Sequence, residues 1–524
     1  MIPLFRKSCC TLACLLFIFT AGKLNADNND IGSLRVQLKG GKSTIYQLLR
    51  DVSEQSGYLF VYDSQLVNNN QVVKVPKGKY SITDAVFTIT GNRKLKLKVV
   101  EKHILLYLPT ESNTSAENSK QDSFSNPFYT ISGKLYDHAY NVPIPYASVS
   151  INNTSIGTVT NKDGAFTISI PSTLPLATIK FSHLGYENQE AKVSPFSKQN
   201  LTYMLESKAI PIQEAAIRHI DPIRLLKKMM EKRAENYSHH PVKLTTFYRE
   251  GISYKKNNID VSEAVLEVYK HDYQNTVSTD QVKLVKMRRI MSGENSYEFL
   301  AKIRAGIEAC LSMDIIKHIP DFLEVDWGKN ASPFKYTHTG ISEIDGKRVN
   351  AISFEQKKHV ITPMYKGTLY VDAETYALVE AHFEVNSAYT NDATSMYVER
   401  RSKDFKLNLQ SASYNVSYKR LSDSIYYINH IRGDLQFKGR KKGKLFSSPL
   451  HVWFEMVTCD INTQDVKTFP RKERLSTNKI FSETKHLYDS SFWENFNIIT
   501  PENDLKEFIM SNINEISKPA KDVE

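Results

Sequence analysis

Cysteine is scarce in this chain: there are five in 524 residues, and Cys9, Cys10 and Cys14 fall in the first fourteen positions. Only Cys310 and Cys459 are left for a mature protein, so a disulfide framework is excluded and a single bridge is the most that can form. Cys310 lies in phase with an apolar helical stripe, and the expectation is two separate buried thiols. Catalytic spacing patterns are missing as well. No H-E-x-x-H or C-x-x-C occurs, which removes the common zinc arrangements. The absence of G-x-S-x-G takes away the usual marker of a serine hydrolase. Gly41-Lys42-Ser43 ends like a phosphate-binding loop, but Val36 stands where its first glycine belongs, so it reads as a turn before a capped helix. His239-His240 have no third ligand at a recognisable spacing. No catalytic, cofactor-binding or metal residue is therefore expected, and no cofactor.

Long apolar runs are absent beyond the N-terminus. Arg6 and Lys7 precede a run from Thr11 to Ala21, about a dozen residues and too short to span a bilayer as a stable helix. Residues 1–26 read as a secretory signal peptide cleaved after Ala26. The three cysteines precede or interrupt the run, where a lipidated cysteine would follow it, so simple export is expected. Removing residues 1–26 takes away Arg6, Lys7 and Lys23 and no acid, and lowers the formal net charge from +11 to +8. That mild excess suits an anionic envelope surface. Nucleic acid is not an expected partner, and the mature chain should have no transmembrane helix. Composition is globular, 41% hydrophobic and 24% charged, and the length allows roughly three or four domains.

Residues 27–108 hold an internal repeat. Leu34 to Leu38 alternates as a strand. Ile45, Leu48, Leu49 and Val52 then mark a helix from Ser43 to Ser56, stopped by Gly57, and Tyr58 to Tyr62 returns as a strand. The pattern recurs as a strand at Val72 to Val75, a helix from Ser81 carrying Ile82, Ala85, Val86 and Ile89, and strands at Leu95 to Val100 and Ile104 to Leu108. Ser81 and Asp84 form a variant capping box. Two βαβ-like units imply a compact α+β fold. The runs Thr44 to Tyr62 (T-I-Y-Q-L-L-R-D-V-S-E-Q-S-G-Y-L-F-V-Y), Tyr80 to Thr90 and Lys94 to Val99 resemble the short N-terminal domain of secretins and TonB-dependent signal transducers. The resemblance implies a periplasmic docking module for an envelope protein partner.

Residues 109–128 are polar and aperiodic, a flexible linker. Residues 129–205 alternate short apolar strands with turn residues, the pattern of a small antiparallel β-sandwich. I-S-G-K-L-x-D (Ile131 to Asp137), P-I-P-Y-A-S-V (Pro143 to Val149), G-T-V-T-N-x-D-G-A-F (Gly157 to Phe166) and F-S-H-L-G-Y (Phe181 to Tyr186) resemble the carboxypeptidase-regulatory-like domain. That resemblance implies an accessory domain without zinc ligands.

Residues 206–524 predict a mostly antiparallel α+β domain with a β-meander. Ile210 to His219 is a connector. Asp221 caps a helix with Pro222 at its first position, and Ile223, Leu226 and Met230 form a stripe with Leu225 and Met229 beside it. A second helix is expected from Glu298 to Ile319 and a last one from Glu502 to Ile516. Strands are expected at Lys243 to Tyr254, Val261 to Tyr269, Lys406 to Lys419, Tyr426 to Phe437 and Val452 to Ile461. Two more are expected within Gly367 to Val385, and a hairpin turn at Asp345-Gly346. E-N-Y (Glu235 to Tyr237), F-Y-R-E (Phe247 to Glu250), E-A-V-L-E-V-Y-K (Glu263 to Lys270) and G-T-L-Y-V-D resemble the segment after the sandwich in a family of outer-membrane proteins of unknown function. No strands of that family's membrane barrel are expected within these residues.

Two charge features stand out. Glu263 and Glu267 sit ~13 Å apart along a strand, too far for a glycosidase pair, and read as a solvated face. Lys438, Arg440, Lys441, Lys442 and Lys444 cluster around two glycines between strands, a basic hairpin tip. It reads as a solvated turn or as a contact for phosphate or the anionic outer-membrane surface. The reading as a whole is a non-enzymatic periplasmic or outer-membrane-associated adaptor for protein interaction or signalling. The alternatives are a carrier of an apolar or envelope ligand in the meander, curved into a half-barrel, and a hydrolase with a scattered site.

Overall fold

Thr44 and Ser81 start the two helices of the N-terminal region by the same device. Thr44 Oγ1 accepts from the Gln47 N–H at 3.3 Å, and Ser81 Oγ from the Asp84 N–H at 3.1 Å. Ser81 Oγ also donates to the Asp84 carboxylate at 2.6 Å, so Asp84 turns to the capping hydroxyl rather than to the backbone. Gly57 and Gly91 end the helices at φ 73° and 68°, where a side chain would add strain. The computed structural model describes residues 34–107 and 127–512 apart from short internal stretches, the longest being 209–219, 293–301, 325–331 and 485–495. The expected signal peptide and connector, and the expected linker up to residue 126, lie outside the described residues, while Phe128 already belongs to a strand. The chain divides into two compact units, Met1–Gln121 and Asp122–Glu524.

The first unit runs β1 (Arg35–Leu38), β2 (Gly41–Thr44), α1 (Ile45–Ser56), β3 (Leu59–Tyr62), β4 (Val72–Val75), β5 (Gly78–Ser81), α2 (Ile82–Thr90), β6 (Lys96–Val100) and β7 (His103–Tyr107). Each copy of the repeat has one strand more than expected, directly before its helix. These extra strands exchange partners: β1 pairs with β5 and β2 with β4, both antiparallel, so the two copies interlock. The eight apolar helix positions named above are all buried in one core.

The second unit opens with β8 (Phe128–Asp137), β9 (Ser148–Ile151), β10 (Gly157–Val159), β11 (Ala165–Pro171), β12 (Ala177–Ser182), β13 (Gln189–Val193) and β14 (Leu201–Leu205). They form sheets ordered β10-β9-β12-β13 and β11-β8-β14, around Ile131, Leu135, Val149, Phe166, Ile168, Ile179 and Phe181. The last strand departs from the antiparallel expectation, because β14 lies parallel to β8.

The rest is built on one sheet. Its strands are β15 (Val242–Tyr254), β16 (Asn257–Lys270), β17 (Gln281–Met291), β19 (Phe334–Ile344), β20 (Lys347–Gln356), β21 (Tyr365–Asp372), β22 (Leu378–Val385), β24 (Phe405–Arg420), β25 (Tyr426–Lys441) and β26 (Ser448–Asn462); β18 (Lys302–Ile303) and β23 (Val398–Arg400) pair separately. The order is β17-β16-β15-β26-β25-β24-β22-β21-β20-β19, antiparallel throughout. Asp345 and Gly346 make the expected hairpin at φ 56° and 74°, both positive as a type I′ turn requires. Across the apolar face Phe354, Gly367, Phe383, Tyr414, Gly433 and Phe454 stand in register. Gly433 has to be glycine, since a Cβ there would lie 2.4 Å from the Phe454 ring.

That face is covered by the chain itself. The helix Pro222–Glu231, capped by Asp221 as expected, contributes Leu225, Leu226 and Met229, while Ile223 is exposed. Phe322 stacks on Phe354 with centroids 4.4 Å apart. A buried ion cluster holds this segment down: Lys270 Nζ reaches Asp280 at 2.9 Å and Asp314 at 2.6 Å, and Lys317 pairs with Asp280. The expected helix from Glu298 to Ile319 is corrected. Among the described residues of that span only Ile307–Ser312 is α-helical, and Lys302–Ile303 is strand β18. Gly306 at φ 95° breaks the helical path between them. The last helix is Asn503–Ser511, shorter than expected among the described residues.

Candidate functional site

On the opposite face, the register aligns one residue from every strand of the ten-stranded sheet. From β17 to β19 they are Arg288, Glu263, Arg249, Glu455, Arg432, Asn415, His382, Thr368, Ser353 and Thr337. The first five alternate in charge. Arg249 Nε donates to Glu263 at 2.7 Å, and Arg249 Nη1 to Glu455 at 3.2 Å. Arg432 Nη1 donates to the other Glu455 oxygen at 3.0 Å, and Arg288 Nε to Glu263 at 2.5 Å. Arg249 and Glu455 are both 0% exposed. Such burial is tolerable only because every charge meets its opposite and the planar guanidinium satisfies two carboxylates at once.

The row is buried because two other parts of the chain cover it. Val159 of the sandwich packs with Phe247, Val457, Cys459 and Ile499. Leu505 and Ile509 of the last helix pack with Val261, Ile290 and Trp453. Arg249 Nη2 closes the contact by donating to the Ile499 carbonyl at 2.6 Å. Glu263 is therefore no solvated residue, and that expectation is corrected; Glu267 is partly exposed and pairs with Lys243 at 2.9 Å. The missed signal was in the runs themselves. Ala264-Val265-Leu266 and Val452-Trp453-Phe454 are apolar at both alternating positions, which marks strands buried on both faces. A charged residue inside such a run needs a buried partner.

Electrostatics follow the geometry. Burial opposes ionisation of Glu455, but His430 beside it and the guanidiniums of Arg432 and Arg249 prevail and hold its carboxyl at about 2. Burial is likewise outweighed at Asp434, held at about 2 by His451 and Arg432, and at Glu263, lowered by Arg288 and Arg249. Glu502 shifts the other way, raised by burial and by the Glu455 charge.

Where the covering ends, the arginine–carboxylate alternation stops and the row opens into a cleft of about 650 Å³ between sandwich and sheet. Its lining includes Lys180 and His183 from the sandwich and Glu380, His382, Asn415 and His430 from the sheet. Tyr146 stands at the junction. Its φ of 59° is an outlier for a bulky side chain. The ring stacks on His430 with centroids 5.4 Å apart, and the Arg432 guanidinium carbon lies 5.2 Å from its centre. His430 is 3% exposed, yet its Nε2 makes no hydrogen bond and stands 3.9 Å from Glu455.

No candidate nucleophile emerges from the thiols. Cys310 and Cys459 are separate and buried; burial raises Cys310 well above its ordinary value and pushes Cys459 up to about 12. Among the described residues, no group of three or more His, Cys, Asp or Glu could hold a metal ion, and no helix is long and apolar enough to cross a membrane. His239 is exposed and its Nδ1 lies 2.8 Å from Gln274 Nε2. Gly41-Lys42-Ser43 lies in strand β2. Lys438, Arg440, Lys441, Lys442 and Lys444 are all exposed at the β25–β26 hairpin. They stand at the other end of β25 from His430, the strand's last residue, Lys441, about 36 Å along it.

No curated protein matches the chain. Among solved structures, a DUF1329 family protein from Desulfovibrio piger superposes on 47% of this chain and 96% of its own, at 11% identity and a TM-score of 0.21. Lipovitellin covers 44% of this chain and 26% of its own, at 11% identity and a TM-score of 0.19. MucB, solved in complex with MucA, covers 46% and 98%, at 11% identity and a TM-score of 0.15. Superposition at this level establishes no shared architecture. Residues 131–217 match the CarboxypepD_reg-like domain, so the sandwich that walls the cleft is a carboxypeptidase-regulatory-like domain.

Proposed function

We propose that this chain is a non-enzymatic adaptor of the cell envelope, exported to the periplasm, which docks a protein partner through residues 27–108. The observation that carries this reading is the separation into two units, of which the first closes a core of its own. A small closed domain joined by a polar stretch is suited to reaching a partner. The resemblance of residues 27–108 to the short N-terminal domain of secretins and TonB-dependent transducers supports it. So does the state of the larger unit, whose strongly perturbed acids are spent on arginines and whose thiols are buried. The test is capture from envelope extract with the full-length mature chain and with a chain lacking residues 27–110. The adaptor reading expects the deletion to lose the partner; equal capture by both chains overturns it.

The cleft favours a second reading, a binder of a polar envelope ligand. The His430 Nε2, which makes no hydrogen bond, and the strained Tyr146 beside it are features that a ligand could use. Filling the cleft with Asn415→Trp should abolish a thermal shift produced by polar envelope fractions. A shift that persists unchanged rules out the cleft.

A further inference from the structure

We propose that the β25–β26 hairpin tip is a lipid-docking element that sets Leu445 and Phe446 into the interface of a bilayer carrying anionic lipid. This inference stands apart from the adaptor reading, because it concerns the opposite end of the chain's domain order and needs no protein partner. A turn at the tip is closed by the Lys444 N–H donating to the Lys441 carbonyl at 3.0 Å. Gly443 takes φ 79° in its third position, as a type II turn requires. The chain then presents Leu445 and Phe446 side by side, at 89% and 87% exposure. These are the two most exposed large apolar residues among the described ones.

Their surroundings identify the occupant. Lys438, Arg440, Lys441, Lys442 and Lys444 flank the pair, and no acid occurs from Lys438 to Ser448. Among the described residues, none of the five cations is in an ion pair. Strand alternation places Lys438 and Arg440 on one side of the hairpin and Lys441 on the other. Exposed Lys406 lies opposite Arg440 in register, and the neighbouring hairpin brings Lys255, whose N–H donates to the Pro449 carbonyl at 3.0 Å. A protein groove would accept Leu445 and Phe446 but would need acids for so many cations. A bilayer interface meets both demands. Its acyl boundary takes the apolar apex, and its phosphates take ammonium groups whose stems lie along the apolar layer. Each cation near an anionic surface is worth roughly fivefold in binding, and two apolar side chains add a shallow anchor, so attachment should be reversible and weakened by salt.

The test is co-sedimentation of the full-length mature protein with phosphatidylcholine vesicles, with and without phosphatidylglycerol. Leu445→Ser with Phe446→Ser keeps the cations; Lys441→Glu, Lys442→Glu and Lys444→Glu keep the apolar pair. All five side chains are exposed, so unfolding midpoints should match the parent and confirm that the variants fold. The proposal expects binding to anionic vesicles only, reduced at least about tenfold by either set. A Phe446→Trp variant should shift its emission to the blue with anionic vesicles. Unchanged sedimentation of the serine variant with an unshifted tryptophan overturns insertion, and sedimentation with neither vesicle overturns lipid docking altogether.

Discussion

Two halves of one row of ten residues have opposite fates in this protein. From Arg288 to Arg432 the row is ionic, alternating and sealed beneath the sandwich and the last helix. From Asn415 to Thr337 it has no arginine–carboxylate pairs, His382 bonding to Glu380 outside the row at 2.5 Å, and it faces a cleft or solvent. Both halves lie on the same face of the same sheet, so strand geometry cannot account for the difference. The cover does. Where another layer excludes water, side chains must satisfy one another; where the layer stops, water does it. Buried ion pairs are weak contributors to stability but strong selectors of geometry in some proteins. Here Arg249 can reach Glu263, Glu455 and the Ile499 carbonyl together only when three separate parts of the chain have docked.

The largest expected effect is on that central residue. Arg249→Met leaves two buried carboxylates without their shared cation and should cost about 3–5 kcal/mol in urea unfolding. His382→Ala, in the open half, breaks its bond to Glu380 and should cost about 1 kcal/mol. Equal costs at the two positions would break the comparison. Acid should act on the sealed half next. Glu455, Asp434 and Glu263 ionise below their unfolded values, so the stability they give is present above the ordinary carboxylate range and is lost as pH falls below it, down to about 2 for Glu455 and Asp434. A circular-dichroism titration should show this loss, and Arg249→Met should remove only the part that Glu263 and Glu455 owe to that guanidinium, leaving the part that Asp434 owes to His451 and Arg432. Glu502 has the reverse sign: its folded value is raised, so its penalty is absent in acid and grows as pH rises above its unfolded value. Glu502→Gln should therefore gain stability relative to the parent at pH 8 compared with pH 4. A smaller effect sharpens the boundary between the halves. At Tyr146, glycine relieves the left-handed backbone that alanine must still bear, so Tyr146→Gly should be about 1 kcal/mol more stable than Tyr146→Ala in thermal unfolding.

Legibility differed from region to region for physical reasons. The two short helices of residues 34–107 were readable to within two residues, the first starting at Ile45 rather than Ser43, because a capping hydroxyl, an apolar stripe and a stop glycine are local signals. The extra strands β2 and β5 were not, since each is four residues long and owes its existence to a partner in the other copy of the repeat. The meander strands were readable from alternation, and the β25–β26 tip from its run of cations. The overlong helix from Glu298 failed because its apolar spacing was read through Gly306.

The sequence by itself determined where the sandwich lies, where the hairpins turn, and that the basic residues gather at one tip. Each of these depends on neighbours in the chain. That the thiols of Cys310 and Cys459 stay apart came from the fold. Only the tertiary structure decided that Glu263 is buried, that Arg249, Glu455 and Arg432 meet, that Tyr146 rests on His430, and that Leu445 and Phe446 stand uncovered beside the cations. Those outcomes depend on which layer covers which face. Strand alternation says that a residue points to one side of a sheet, and packing alone says whether water waits there.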